Sequence, residues 1–217
     1  MMKLTTKSLL LSTATFGLML GVAQNAQAGR LITGVTATSL TNTTSNWALP
    51  NVTNGSGLPG NQPSLGGTHA LSAITNAWRS NNDAAAKLTA GTVISITFQL
   101  GIVPTDLIGF SFWNFSGGGV NTMGVRNASL GYSINGTTFT SAWTGTFAQG
   151  GTTPGGPELI NFNLVKATHV RLNITSNYGD AQRVGFNEIS FKSIPEPSAS
   201  LALLGLGLAG VGLRKRA

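Results

Sequence analysis

The chain has 217 residues, 41% of them hydrophobic, which is enough for one domain with a real core. It has no cysteine, so a disulfide framework is excluded. Its formal charge is +7, but Lys3, Lys7, Arg214, Lys215 and Arg216 against Glu196 supply +4 of that. Residues 29–194 hold eight basic and five acidic side chains, a net +3 without any cluster, which argues against nucleic acid as a partner.

In chain order, Met1 to Lys7 carries two lysines and no acid, and Ser8 to Val22 is mostly apolar. Ala26-Gln27-Ala28 then places small residues at the two positions a signal peptidase reads. The pattern predicts a signal helix over residues 1–28, cleaved after Ala28.

Residues 29–194 form the predicted domain, and short runs of period-two alternation dominate it. The clearest is Val93 to Leu100, with Ile94, Ile96, Phe98 and Leu100 on one face and Ser95, Thr97 and Gln99 on the other. Similar runs cover Leu31–Ala37, Leu107–Trp113, Ala128–Ile134, Phe139–Phe147, Leu159–Leu164, His169–Thr175 and Val184–Phe191. Clusters of Gly, Pro, Asn and Ser separate them at the spacing of an all-β fold, and an antiparallel β-sandwich is expected. One short helix is predicted at Asn81–Leu88. Leu40 to Ala70 reads as a long surface loop, the kind of segment on which binding sites sit. Asn135-Gly136 predicts a tight type I′ hairpin between Tyr132-Ser133-Ile134 and Thr137-Thr138-Phe139.

Residues 195–217 read Pro195-Glu196-Pro197, an apolar run Ser198–Leu213, and Arg214-Lys215-Arg216. Sixteen residues make a helix of roughly 24 Å against a hydrocarbon core of roughly 30 Å, a marginal span with its basic end held on the cytoplasmic side. Tripeptide, apolar stretch and basic end in this order resemble the PEP-CTERM sorting signal of exported Gram-negative bacterial proteins. The resemblance implies an exosortase-type processing enzyme as a partner, beside the signal peptidase. It also implies transient anchoring in the inner membrane through the terminal segments, and a final place at the cell surface or in the extracellular matrix. Gly205-Leu206-Gly207-Leu208-Ala209-Gly210 satisfies the dinucleotide fingerprint Gly-x-Gly-x-x-Gly, but no acid follows at the required distance.

The order of several pieces in residues 31–192 resembles the discoidin, or coagulation factor 5/8 C-type, galactose-binding-like jelly-roll domain. Those pieces are Asn54-Gly55-Ser56-Gly57-Leu58, then Trp78-Arg79-Ser80, Ile94–Leu100 with Gly101, and Leu107–Asn114. Gly124-Val125-Arg126 and Tyr132-Ser133-Ile134-Asn135-Gly136-Thr137-Thr138-Phe139 follow. Ala167-Thr168-His169-Val170-Arg171-Leu172 and Asn187-Glu188-Ile189-Ser190-Phe191 are similar to the family's last two core strands. The resemblance implies a sandwich that binds a carbohydrate, lipid headgroup or protein on loops at one end. It also implies a structural calcium held by Asn54, Ser56 and Glu188, with an Asn where an Asp is frequent. Glu188 has a second reading, a carboxylate that caps backbone N–H groups.

Catalysis has little support in the sequence. His69 and His169 stand in no metal-binding spacing, no nucleophile elbow is present, and the five carboxylates of the domain are scattered. Nothing in the spacing points to a pairing such as Asp106 with Glu158. Sugar binding has a route through aromatic faces beside planar polar groups, for which Trp47, Trp113, Asn114, Asn177 and Tyr178 are the candidates. Packing is the other reading of each aromatic; Trp78 and Trp143 are assigned to the core or its edge. Arg126, Arg171 and Arg183 are candidates to orient polyanions, or solvated charges on buried stems. Seven Asn-x-Ser/Thr triplets, beginning at Asn42, follow from composition and are not read as glycosylated. Two functions stay open: a non-catalytic protein that binds exopolysaccharide or another surface glycan, and a structural or adhesive envelope protein that binds protein partners without a sugar site.

Overall fold

Alternation decides the strands. Ile94, Ile96 and Phe98 are fully buried, and their polar neighbours lie on the other face of the sheet. The computed structural model describes residues 29–39 and 46–194, so the expected signal helix, cleavage site and sorting segment lie outside the described residues. Residues Arg30–Ser193 make one compact unit.

Its strands are β1 (Arg30–Leu31), β2 (Thr36–Ser39), β3 (Trp78–Arg79), β4 (Ile94–Gln99) and β5 (Thr105–Asn114). They continue with β6 (Asn127–Ser133), β7 (Thr140–Thr146), β8 (Glu158–Ala167), β9 (His169–Ile174) and β10 (Gly185–Ser193). One sheet has the order β1-β10-β5-β8 with β3 paired to β10, and the other the order β2-β4-β9-β6-β7. Every strand pair is antiparallel, which makes the fold an antiparallel β-sandwich. Between the sheets Phe112 stacks on Phe147 at 3.9 Å between ring centroids, and Phe98 meets Phe191 at 5.3 Å. Burial of such a side chain stabilises by about 1.5–3 kcal/mol. The single α-helix among the described residues, α1 (Ala84–Thr89), buries Ala84 and Ala85 and carries a 2.9 Å Asp83–Lys87 ion pair.

Two expectations need correction. The Asn135-Gly136 turn is not type I′, because only Gly136 has a positive φ (73°) and pairing resumes at Tyr132–Thr140. Side chains hold a wider loop instead: Asn135 Oδ1 accepts from the amides of Thr137 and Thr138, and Ser133 Oγ from those of Asn135 and Gly136. The described part of Leu40–Ala70 is a packed strap more than a loose loop. It forms 3-10 turns at Leu49–Val52 and Pro59–Asn61 and buries Leu49, Val52 and Leu58. Its scattered apolar residues fall where the chain meets the sandwich, so neither helical nor strand periodicity reveals them.

The connections divide unequally. At one pole residues 32–35, 100–104, 134–139 and Thr168 alone join the strands. At the other converge the strap, the α1 segment and residues 115–126, 147–157 and 175–184.

Candidate functional site

The loop-bearing pole is organised by side chains that bind backbone. Asn114, the last residue of β5, donates from Nδ2 to the carbonyls of Val125 and Ala148 (2.7 Å each). Its Oδ1 accepts from the amides of Phe115 (2.9 Å) and Val125 (2.8 Å). All four of its hydrogen-bonding positions are thereby filled. Asn177 plays a similar part, donating to the carbonyls of Asp180 and Arg183 and accepting from the Gly179 amide. The Tyr178 hydroxyl donates to the Phe147 carbonyl, and Arg126 lies 5.8 Å from the centre of its ring.

The aromatics expected to meet a ligand differ in exposure. Trp113 is 2% exposed; its Nε1 donates to the Gly67 carbonyl at 3.1 Å, while Ser111 Oγ donates to Leu65 O at 2.7 Å. The strap therefore covers the outer face of β5 there. Trp47 is half-buried, with the Arg79 guanidinium 4.6 Å from its ring centre and Phe115 at 5.6 Å. Trp78 is fully buried and Trp143 half-buried. Arg171 lies over Phe139 at 3.9 Å and Arg183 Nε donates to Asn82 Oδ1, so neither joins Arg126 in one cluster.

A bulge in β10 between Phe186 and Glu188 sets two consecutive polar residues into the sheet. Asn187 is 1% exposed; its Oδ1 accepts from Ser72 Oγ and its Nδ2 donates to Ser116 Oγ at 3.2 Å. Beside it His69, also 1% exposed, donates from Nδ1 to the Ala70 carbonyl at 2.7 Å. Its Nε2 has no hydrogen-bond partner and packs against Gly57, where a Cβ would come within 2.9 Å of it. Burial holds the His69 pKa below 6.5, against a smaller opposing effect of the Ala70 and Ser56 carbonyls.

Asn54, Ser56 and Glu188 are brought together, as the resemblance implies. Both Glu188 carboxylate oxygens take the Gly55 N–H (3.1 and 3.2 Å), and Asn54 Oδ1 accepts from the Ser56 amide at 2.9 Å. Glu188 is 0% exposed, and burial pushes its pKa up from 4.5 to about 8 in spite of the Gly55 hydrogen bond. Calcium takes six to eight oxygens. Here the loop turns an N–H toward the only carboxylate and the amide oxygen is already engaged, so the donors as arranged do not form that shell. No group of three or more His, Asp or Glu side chains that could hold a metal occurs among the described residues.

A cavity of about 130 Å³ opens beside Asn187, lined by His69, Trp113, Asn114, Gln149, Glu158 and Asn187 together with the glycine-rich 150–156 segment. Trp113 and Asn114 were legible as ligand candidates from their place at a strand end. Glu158, Gln149 and Asn187 were not, although the break of alternation at Asn187-Glu188 is the signal that marks a bulge. Glu158 stands opposite Phe112 and accepts the Ala148 N–H on Oε1 at 2.7 Å. Burial raises its pKa above 4.5, and that hydrogen bond opposes the rise. Asp106 pairs with Lys166 and stands six positions along β5 from Phe112, the residue opposite Glu158, which places the two carboxylates roughly 20 Å apart at the rise of a strand. A glycosidase pair stands within about 10 Å, so these two carboxylates do not form one.

Residues 193–216 match the model of the PEP-CTERM protein-sorting motif. No curated protein matches the chain. Among solved structures the chain is similar to the family 32 carbohydrate-binding module of NanJ from Clostridium perfringens, in complex with galactose. The two are 12% identical, with a TM-score of 0.53 over 76% of this chain and 99% of that one. It is also similar to an F5/8 type C domain from Bacteroides fragilis, at 15% identity and a TM-score of 0.50 over 79% and 99% of the two chains. A truncated AlyQ with family 32 module and alginate lyase domains matches at 13% identity and a TM-score of 0.52, over 80% of this chain and 35% of that one. The chain thus carries a PEP-CTERM sorting motif, which implies export, and its sandwich has the fold of family 32 carbohydrate-binding modules and F5/8 type C domains.

Proposed function

We propose that the sandwich of this exported chain binds carbohydrate, an extracellular polysaccharide, in the cavity at its loop-bearing pole and without catalysis. The cavity carries the reading. It sets the half-buried carboxyl of Glu158 beside the exposed Gln149 amide and Thr153 hydroxyl, over a wall that contains the buried Trp113 indole, and these polar groups suit the hydroxyl pairs of a pyranose. The likeness in fold to a module bound to galactose supports it. On this reading the segment 195–217 holds the chain transiently at the inner membrane for an exosortase-type enzyme, and the mature domain, residues 29–194, ends at the cell surface or in the matrix. Glu188 works as a clasp between the strap and β10 without a metal. Calcium against chelator should leave the melting midpoint unmoved, and a higher midpoint with calcium would reject that part.

Retention of the full-length protein on the producer's own exopolysaccharide tests the main reading. Gln149→Ala and Thr153→Ala alter exposed residues of the cavity rim and should weaken retention roughly tenfold without lowering the melting midpoint. Unchanged retention in both would reject this cavity. The second reading, a structural or adhesive protein without a sugar site, is favoured by the complete engagement of Asn114, Asn177 and the Tyr178 hydroxyl in the fold. Failure of the unaltered protein to bind any glycan would select it.

A further inference from the structure

We infer that the cavity prefers a sugar with a free amino group and rejects an acidic one, and that Glu158 makes the distinction. The inference rests on the carbohydrate reading of the same cavity and adds the chemical class of the ligand.

The charges around the cavity carry it. Glu158 is the one carboxylate among the lining residues, and no lysine or arginine is among them. The arginines of this pole are placed elsewhere, with Arg79 on the Trp47 ring, Arg126 over Tyr178 and Arg183 on Asn82. His69 is the other titratable group in the lining, and burial lowers its pKa, which disfavours its charged form. Glu158 itself is half-buried, and the neutral Ala148 amide is its one hydrogen-bond partner among the described residues.

A carboxylate in this setting has lost water without gaining a countercharge. An ammonium group supplies both charge and up to three donors, and charge-assisted hydrogen bonds are roughly twice as strong as neutral ones. A uronate brings a second negative charge into the same poorly hydrated space, and two carboxylates that share a site cannot both stay ionised without a shift. A neutral hexose lies between, because its hydroxyls donate to Glu158 without adding charge.

The competing role of Glu158 is to cap the Ala148 amide. Glu158→Gln separates the two, since the amide oxygen still accepts that N–H while the negative charge is gone. The full-length protein should be titrated by calorimetry at neutral pH with galactose, galactosamine and galacturonic acid, three probes that share one ring and differ in charge. Galactosamine should bind roughly tenfold more tightly than galactose, the margin of one charge-assisted over one neutral hydrogen bond, and galacturonic acid more weakly than either. In Glu158→Gln the ratio of galactosamine to galacturonic acid should fall by about the same factor. Binding of galactose with no preference among the three, tightest binding of galacturonic acid, or an unchanged ratio in the variant would each overturn the inference and leave the carbohydrate reading standing. Failure of all three sugars and of the exopolysaccharide to bind would overturn both.

Discussion

The two poles of the sandwich are built from the same strands and held by different forces. At the pole of short connections, backbone pairing runs nearly to the turn, as where Thr168 alone joins β8 to β9, and apolar Ile102, Val103 and Ile134 stand exposed. At the loop-bearing pole, backbone groups that have left the sheets are satisfied by Asn51, Asn114, Asn177, Asn187 and Glu188. Buried polar groups must be paired, so a pole that carries long loops needs side chains in place of ladders. The same polar side chains leave a small polar cavity there, which short connections would not.

The difference predicts unequal effects of similar substitutions. Asn114→Ala removes four hydrogen bonds that tie β5 to two loops and should destabilise by about 3 kcal/mol in urea unfolding. A change below about 1 kcal/mol would mean that the loops hold themselves.

Next in size is the pH dependence of Glu188. Its pKa rises from 4.5 to about 8 on folding, so the folded state keeps this proton longer than the unfolded one. The contribution to stability is complete below pH 4.5 and declines as pH climbs through about 8. His69 acts in the opposite direction: with a pKa lowered from 6.5, it favours folding above that pH and loses its contribution as pH falls. Glu188→Gln should flatten the alkaline side of the melting profile, by on the order of 2 kcal/mol, and leave the acid side in place. A profile unchanged on the alkaline side would show that Glu188 is ionised in the native state.

At the opposite pole, Asn135→Ala loses three turn hydrogen bonds in a solvated loop and should cost about 1 kcal/mol. Smallest of all, Lys166→Ala breaks the exposed 2.6 Å pair with Asp106 and should change stability by less than about 1 kcal/mol, even less at high salt. A larger loss for Asn135→Ala than for Asn114→Ala would reverse the comparison.

The contrast also explains what could be read in advance. Strands such as β4 and β9 announce themselves because one buried face imposes a period of two on the chain. The strap has no such period: Leu49, Val52, Leu58 and His69 are buried at uneven spacing, and glycines in the strap allow close approach. Gly57 is one of these, since a Cβ there would sit 2.5 Å from His69 Cε1. Asn-Gly suggested a tight hairpin, but Ser133 and Asn135 captured four amides and widened it. At the cavity, Trp113 and Asn114 were legible from composition at a strand end. Glu158 and Asn187 enter it through strand register and a bulge, which bring in residues 44 to 74 positions away from those two and leave no local mark.

The central claim is that the loop-bearing pole holds the ligand. Backbone NMR of the protein titrated with fragments of the producer's exopolysaccharide tests it most directly. The account predicts saturable shifts centred on His69, Asn114, Gln149, Glu158 and Asn187, with the amides of residues 100–104 and 134–139 unmoved. Shifts confined to the opposite pole, or none at saturating fragment, would contradict it.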